Sequence, residues 1–246
     1  RLLEEMRGHA DWIARLGLVL DGEPLIDTGL EAKMRMGRDA GIRDMFLSSN
    51  ASLLDERRAR GLIEAGLDTI YITIDSMKKD VYESIRRGLT FEDVVENTER
   101  FLEMRDEKKP TLTVRIQMIV QEANEAEAED FVAYWRPRVK PHDQVIARTA
   151  HGWGARMDLE SEEVRAAANA VPCIALWSTM GIHSDGTVNL CCVDAGDTVK
   201  LGNVNEQSIR EIWRGATLAR CRELHLRGER FRIPICDGCT VWIDRR

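Results

Sequence analysis

Apolar positions along the first 150 residues alternate between two spacings. Short runs rich in aliphatic and β-branched residues, at 16–20, 44–47, 69–74, 111–120 and 144–148, read as strands. Between them apolar residues recur at helical spacing, over 1–15, 30–40, 53–65 and 124–135 and in the stripe Phe91, Val94, Val95, Phe101 and Leu102. Gly41 and Gly66 follow two of these segments, where a left-handed residue closes the last turn. Thr90 with Asp93, and Asn124 with Glu127, have the spacing of N-terminal helix caps. Strands separated by helices predict an α/β fold with a parallel sheet and right-handed crossovers. Five strands before Thr149 are too few for a closed eight-stranded barrel.

The pattern changes near Pro172. Asp185-Gly186 predicts a tight hairpin within 182–190, a short helix follows at 207–213, a longer one runs to Leu226, and a Cys-x-x-Cys loop comes last. These features place a boundary between Trp153 and Pro172, with one domain over 1–155 and a small α+β domain over 156–246. A hydrophobic content of 43% supplies a core. No apolar run approaches the roughly 20 residues of a membrane span. The net charge is −7 and the basic residues are dispersed, which argues against nucleic acid as a partner. A cytoplasmic protein is expected. The five histidines are scattered without ligand spacing.

The cysteines change the picture most. All six, Cys173, Cys191, Cys192, Cys221, Cys236 and Cys239, lie in the second domain. A disulfide framework is typical of short secreted chains, whereas clustered cysteines in a chain of this size point to metal. Cys173, Cys191, Cys236 and Cys239 supply four thiolates, which suits either a [4Fe–4S] cluster or a structural zinc. Cys191 and Cys192 would point to opposite faces of a strand, so only one of them binds. Spacing favours Cys191, and Cys192 and Cys221 read as small buried residues.

The spacing Cys173-x12-Gly186-x4-Cys191 resembles the start of the SPASM domain, or its shortened twitch form, found in radical S-adenosylmethionine (SAM) enzymes. Leu201-Gly202-Asn203-Val204 and Ser208-Ile209-Arg210-Glu211-Ile212-Trp213 resemble the same domain. No cysteine follows Cys239, as in a one-cluster form. The strand ends fit the same family. A carboxylate at the C-terminal end of a parallel strand stands where such folds bind ligands. By this resemblance Gly22-Glu23-Pro24 holds the methionyl amine of SAM, Ser49-Asn50 and Thr73-Ile74-Asp75 bind its ribose and methionyl group, and Arg86 pairs with its carboxylate. Gln117 and Asn124 are further candidates, and Arg148, Arg156 and Cys192 are candidates for the substrate side.

The resemblance implies a partial (β/α)6 barrel without its first strand, followed by the SPASM/twitch domain. It departs from the family in one respect: no Cys-x-x-x-Cys-x-x-Cys precedes Cys173. Truncation or natural loss would account for that, and a second [4Fe–4S] cluster is expected on the missing N-terminal segment. The resemblance further implies reductive cleavage of SAM, hydrogen abstraction from substrate, and an electron donor such as flavodoxin or ferredoxin. The expected reaction is two-electron oxidation of a small hydroxylated metabolite, with the auxiliary [4Fe–4S] cluster as electron acceptor. The alternatives are peptide modification, redox-neutral epimerisation, and a non-catalytic zinc or iron–sulfur module.

Overall fold

The computed structural model describes residues 1–154, 157 and 159–242. It divides between Thr149 and Ala150 into two compact units. The boundary read from the sequence falls a few residues later, at Ala155 and Arg156, which lie outside the described residues.

The first unit contains α1 (Leu2–Arg7), β1 (Leu16–Gly17), α2 (Leu30–Asp39), β2 (Met45–Ser49), α3 (Glu56–Ala65), β3 (Thr69–Thr73), α4 (Lys79–Ile85), α5 (Phe91–Lys108), β4 (Thr113–Val120), α6 (Ala128–Trp135) and β5 (Gln144–Thr149). The strands lie in the order β1-β2-β3-β4-β5, and every neighbouring pair is parallel. Period-two burial builds the sheet core: Met45 and Leu47 on β2, Ile70 and Ile72 on β3, and Val114, Ile116 and Met118 on β4 are fully buried. Phe101 of α5 and Phe131 and Trp135 of α6 belong to the same core. On β2 the buried face continues into polar Ser49, so the side chain that ends this row can hydrogen-bond.

At the N-terminal ends of the strands, one buried and one half-buried ion network tie the sheet together. Asp143 takes both Arg105 Nη1 (3.0 Å) and Nη2 (2.7 Å), and also the backbone N–H of Val114 (2.7 Å) and Lys140 (2.9 Å). Asp68 accepts from Lys109 Nζ (2.9 Å), from the Met45 N–H (2.8 Å) and from Arg38. Burial raises both carboxyls, but these donors outweigh it and hold each below the usual carboxylate range.

Several sequence expectations need correction. The helix over 1–15 stops at Arg7, and only a 3₁₀ turn, Ala10–Trp12, follows. Neither Thr90 nor Asn124 makes a side-chain cap. Asn124 Nδ2 instead donates to the Asp75 carbonyl (2.6 Å), and Glu127 accepts from Ser76 Oγ (2.7 Å) and the Met77 N–H (2.8 Å). Tertiary partners thus outbid local caps. Helix α4 escaped the sequence reading because Tyr82 is its only buried side chain.

The second unit contains α7 (Glu162–Asn169), α8 (Ala175–Ser178), β6 (Gly181–Ile182), β7 (Thr187–Asn189), β8 (Lys200–Asn203), α9 (Ile209–Trp213) and α10 (Ala216–Leu226). Strands β6, β7 and β8 form an antiparallel sheet, with Asp185-Gly186 at its first turn. Gly186 is required there: its φ is +89°, and a Cβ would lie 2.4 Å from Asn205 Nδ2. Ser208 and Glu211 close a capping box on α9. Neither α7 nor β8 was read from the sequence. Two 3₁₀ turns, Arg230–Arg232 and Pro234–Cys236, lead to the Cys-x-x-Cys loop. Among the described residues no helix is long and apolar enough to cross a membrane.

Candidate functional site

Each unit gathers its own set of candidate residues. In the first, the set stands at the C-terminal ends of the strands. Gly22 adopts φ +77°, which turns the chain after β1. Glu23 then caps the 3₁₀ turn Pro24–Ile26, and Pro24 supplies its pre-set φ at the first position. The Glu23 carboxylate is held from three directions. Oε1 accepts from Ser49 Oγ (2.8 Å) and the Leu25 N–H (3.0 Å), and Oε2 accepts from the Asn50 N–H (2.8 Å). The residue after Asn50, Ala51, is buried with φ +60°, a costly conformation for a side-chain-bearing residue. Ser49 Oγ accepts its N–H, and Asn97 Nδ2 donates to its carbonyl.

At the end of β3, Asp75 is buried and binds Arg86 through Nε (2.7 Å) and Nη2 (2.6 Å), while its other oxygen accepts the Ile119 N–H (2.9 Å). Arg86 therefore already has one carboxylate partner, and Nη1 makes no hydrogen bond among the described residues. Gln117, on the neighbouring β4, donates from Nε2 to Thr73 Oγ1 (3.0 Å). Its Oε1 is buried without a donor, an acceptor at the strand ends with nothing yet to accept. Asn124 has no such spare capacity. Its Nδ2 serves the Asp75 and Ile119 carbonyls and its Oδ1 takes the Gln121 N–H, so it is a turn residue. Arg148 is exposed on β5, and Arg156 lies outside the described residues.

In the second unit, Cys173, Cys191, Cys236 and Cys239 are all buried, all free, and members of one core cluster. Burial, first of all, pushes up the thiols of Cys173, Cys191 (to about 12) and Cys236. Their mutual charges add to it: Cys236 feels Cys191, Cys239 and Cys173, and Cys191 feels Cys192, Cys239 and Cys173. Cys221 is buried, but Cys192 is exposed, contrary to the sequence reading. The pair also lies just beyond β7 rather than on a strand, so a turn, not strand alternation, separates their burial.

The loops that carry Cys173, Cys236 and Cys239 are anchored by residues that sequence reasoning missed. Asn169, at the end of α7, accepts the Gly238 N–H (2.8 Å) and donates to Asp237 (2.8 Å), which also pairs with Arg165 (3.2 Å). Gly238 has φ +66°, and a Cβ there would meet Arg165 at 2.7 Å. The buried His225 accepts the Cys173 N–H at Nδ1 (3.1 Å), so its proton sits on Nε2, a buried atom without a partner. Burial, with the nearby Arg230 charge, lowers His225 to about 4 and keeps it neutral. Among the described residues no three His, Cys, Asp or Glu side chains stand close enough to share one metal ion. The donor set still fits an iron–sulfur cluster in kind: four free thiols, no disulfide, one buried core.

Residues 1–134 match the family model of the radical SAM superfamily. The chain belongs to this superfamily. Residues 173–240 match the SPASM model, an iron–sulfur cluster-binding domain. The first family is one of SAM-dependent proteins and the second one of iron–sulfur cluster-binding domains. A GTP 3′,8-cyclase of Peptoclostridium acidaminophilum is 30% identical over 138 residues, which is 53% of this chain and 40% of that protein. The chain thus spans about two fifths of that curated relative's length. Among solved structures, BtrN in complex with AdoMet and 2-DOIA superposes with a TM-score of 0.61 at 18% identity, covering 97% of this chain and 77% of BtrN. SuiB of Streptococcus suis bound to precursor peptide SuiA gives 0.66 at 12% identity, covering 89% and 59%. Both radical SAM likenesses are of fold.

Proposed function

We propose that this chain binds SAM at the strand ends of its first unit and one auxiliary [4Fe–4S] cluster at Cys173, Cys191, Cys236 and Cys239. In this reading it forms part of an enzyme that oxidises a small hydroxylated metabolite by two electrons. The observation that carries the reading is the set of four free, buried thiols in one core. An all-cysteine set leaves no iron open for substrate, which suits an electron acceptor rather than a Lewis acid. Zinc would need its four thiolates roughly 3.8 Å apart, given Zn–S bonds of about 2.3 Å. A four-iron cluster spreads its thiolates wider.

In the first unit Glu23, oriented by Ser49 and Asn50, receives the SAM ammonium at Oε2, which accepts only the Asn50 N–H and so retains a lone pair, whereas Oε1 is filled by Ser49 and Leu25. Arg86, fixed by Asp75, presents Nη1 to the SAM carboxylate, and the unpartnered Gln117 Oε1 takes a hydroxyl or N–H of the bound ligand. A reduced cluster, when bound, would supply the electron for reductive cleavage of SAM, while Glu23, Arg86 and Gln117 would hold the methionyl end and hydroxyls in place. This chain has no cysteine before Cys173 to hold that reactive cluster, so the chain alone should form no 5′-deoxyadenosine.

The test supplies enzyme complete with that cluster and an alcohol deuterated at its carbinol carbon. A ketone, with deuterium in 5′-deoxyadenosine, supports oxidation. The exposed Cys192, next to ligand Cys191, favours a second reading in which a thiol returns a hydrogen atom. An inverted alcohol carrying solvent hydrogen, and lost in Cys192→Ala, would establish epimerisation instead. Peptide modification remains a proposal of the same rank for the superfamily, and a modified peptide product in place of a ketone would select it.

A further inference from the structure

Arg230 is one of the largest fully buried side chains of the protein, and it lies in the thiol core of the second unit. Its guanidinium is completely enclosed by backbone. Nε donates to the Cys236 carbonyl (3.0 Å) and Nη2 to the Cys239 carbonyl (2.7 Å). Nη1 donates to the carbonyls of Ala168 (3.1 Å) and Val171 (3.2 Å). One side chain therefore ties both ends of the Cys-x-x-Cys loop to the chain just before Cys173. Among the described residues no Asp or Glu pairs with it. Two further buried arginines show the usual arrangement: Arg105 binds Asp143 by two parallel hydrogen bonds, and Arg58 pairs with Glu31.

A guanidinium stays protonated in a protein, and carbonyl dipoles solvate it without neutralising it. A buried charge of this kind is costly unless an opposite charge stands near. Its charge reaches Cys173, Cys236 and neutral His225, and its Nη2 binds the carbonyl of Cys239. Four thiolates on a [4Fe–4S] core carry net negative charge, and reduction deepens it. Accepting the cluster of the preceding section, we infer that Arg230 is its positioning residue and built-in counter-charge, clamping the ligand loops and raising the cluster's reduction potential. The direction follows from charge alone: a fixed cation stabilises the more negative, reduced state.

The experiment uses the full chain, reconstituted without oxygen with iron and sulfide, as wild type, Arg230→Gln and Arg230→Lys. Iron and sulfide content are measured first, and then the midpoint potential by a redox titration followed by electron paramagnetic resonance. Arg230→Gln should make reduction at least about tenfold less favourable, a shift of about 59 mV to more negative potential for a one-electron couple. Arg230→Lys should stay near wild type. Cluster retained in Arg230→Lys but lost in Arg230→Gln also supports the charge assignment. Loaded Arg230→Gln with an unshifted potential overturns this inference alone. Cluster loss in both variants alike overturns the charge role and leaves only packing. A wild-type chain that takes up no iron overturns the cluster reading and this inference together.

Discussion

At the strand ends of the first unit the charged groups already have partners: Glu23 has three donors, and Asp75 has Arg86 and a backbone N–H. In the core of the second unit five thiols, among them Cys173, Cys191, Cys236 and Cys239, lie buried with the Arg230 guanidinium, and among the described residues no carboxylate pairs with that charge. In the first arrangement every charge has a partner, while Glu23 Oε2 keeps a lone pair and Gln117 Oε1 lacks a donor, as suits a molecule that enters and leaves. The second is incomplete as it stands, as suits a group that belongs to the fold. The difference teaches where to look for a resident cofactor: among buried polar groups whose electrostatics do not close.

The largest effect should follow from emptying the thiol core. Binding energy of a structural metal group is folding energy when its site does not exist in the unfolded chain. Chelation of the cluster, or Cys236→Ala with Cys239→Ala, should therefore lower the melting temperature of the second unit markedly and leave the first unit's transition in place. Equal melting of loaded and stripped chain would erase the contrast between the units.

Next comes the first unit's own buried pair. Arg105→Ala leaves Asp143 charged and unpaired in the core, which should cost about 3–5 kcal/mol. Denaturant unfolding measures that cost, and iron content per folded chain should not change.

How much of this was legible in the sequence follows from the same physics. The parallel sheet was visible because period-two and helical spacings are local, whereas Gly22-Glu23-Pro24 and Ser49-Asn50 stood out only through their resemblance to radical SAM motifs at strand ends. The four thiols were visible by spacing. Arg230 was one of the dispersed basic residues and His225 one of the scattered histidines, because only the folded core shows that they are buried beside Cys173, Cys236 and Cys239. Asn124 and Glu127 matched a cap by spacing, yet the structure spends both on the β3 end, which no local pattern encodes. Helix α7 and its Asn169 went unread because Ala168 is its only buried side chain.

A smaller effect concerns Glu23. Glu23→Gln keeps the shape but removes the charge, so SAM affinity should fall by about 1.5–3 kcal/mol, roughly 10- to 150-fold. Equilibrium binding measures this, and the melting curve should hardly move. A large loss of stability instead would make Glu23 a structural cap rather than a ligand group.

The smallest effect is on acid stability. Asp143 and Asp68 are held below their ordinary value in the folded state. Such groups contribute stability above the unfolded value, and that contribution is lost as pH falls through the folded one. The first unit should thus weaken progressively below about pH 4. Asp143→Asn should flatten that acid limb, and unfolding midpoints against pH would show it. An unchanged limb would contradict the role given to Asp143.

The most direct test of the account is the metal content of the second unit. The chain is purified and reconstituted without oxygen, and iron, sulfide, zinc and the visible spectrum are measured in wild type and in a variant with Cys173, Cys191, Cys236 and Cys239 all changed to Ala. The account expects about four irons and four sulfides per wild-type chain, with broad sulfur-to-iron absorption, and none in the variant. Stoichiometric zinc without iron in the wild type, or an intact cluster in the four-alanine variant, would contradict it.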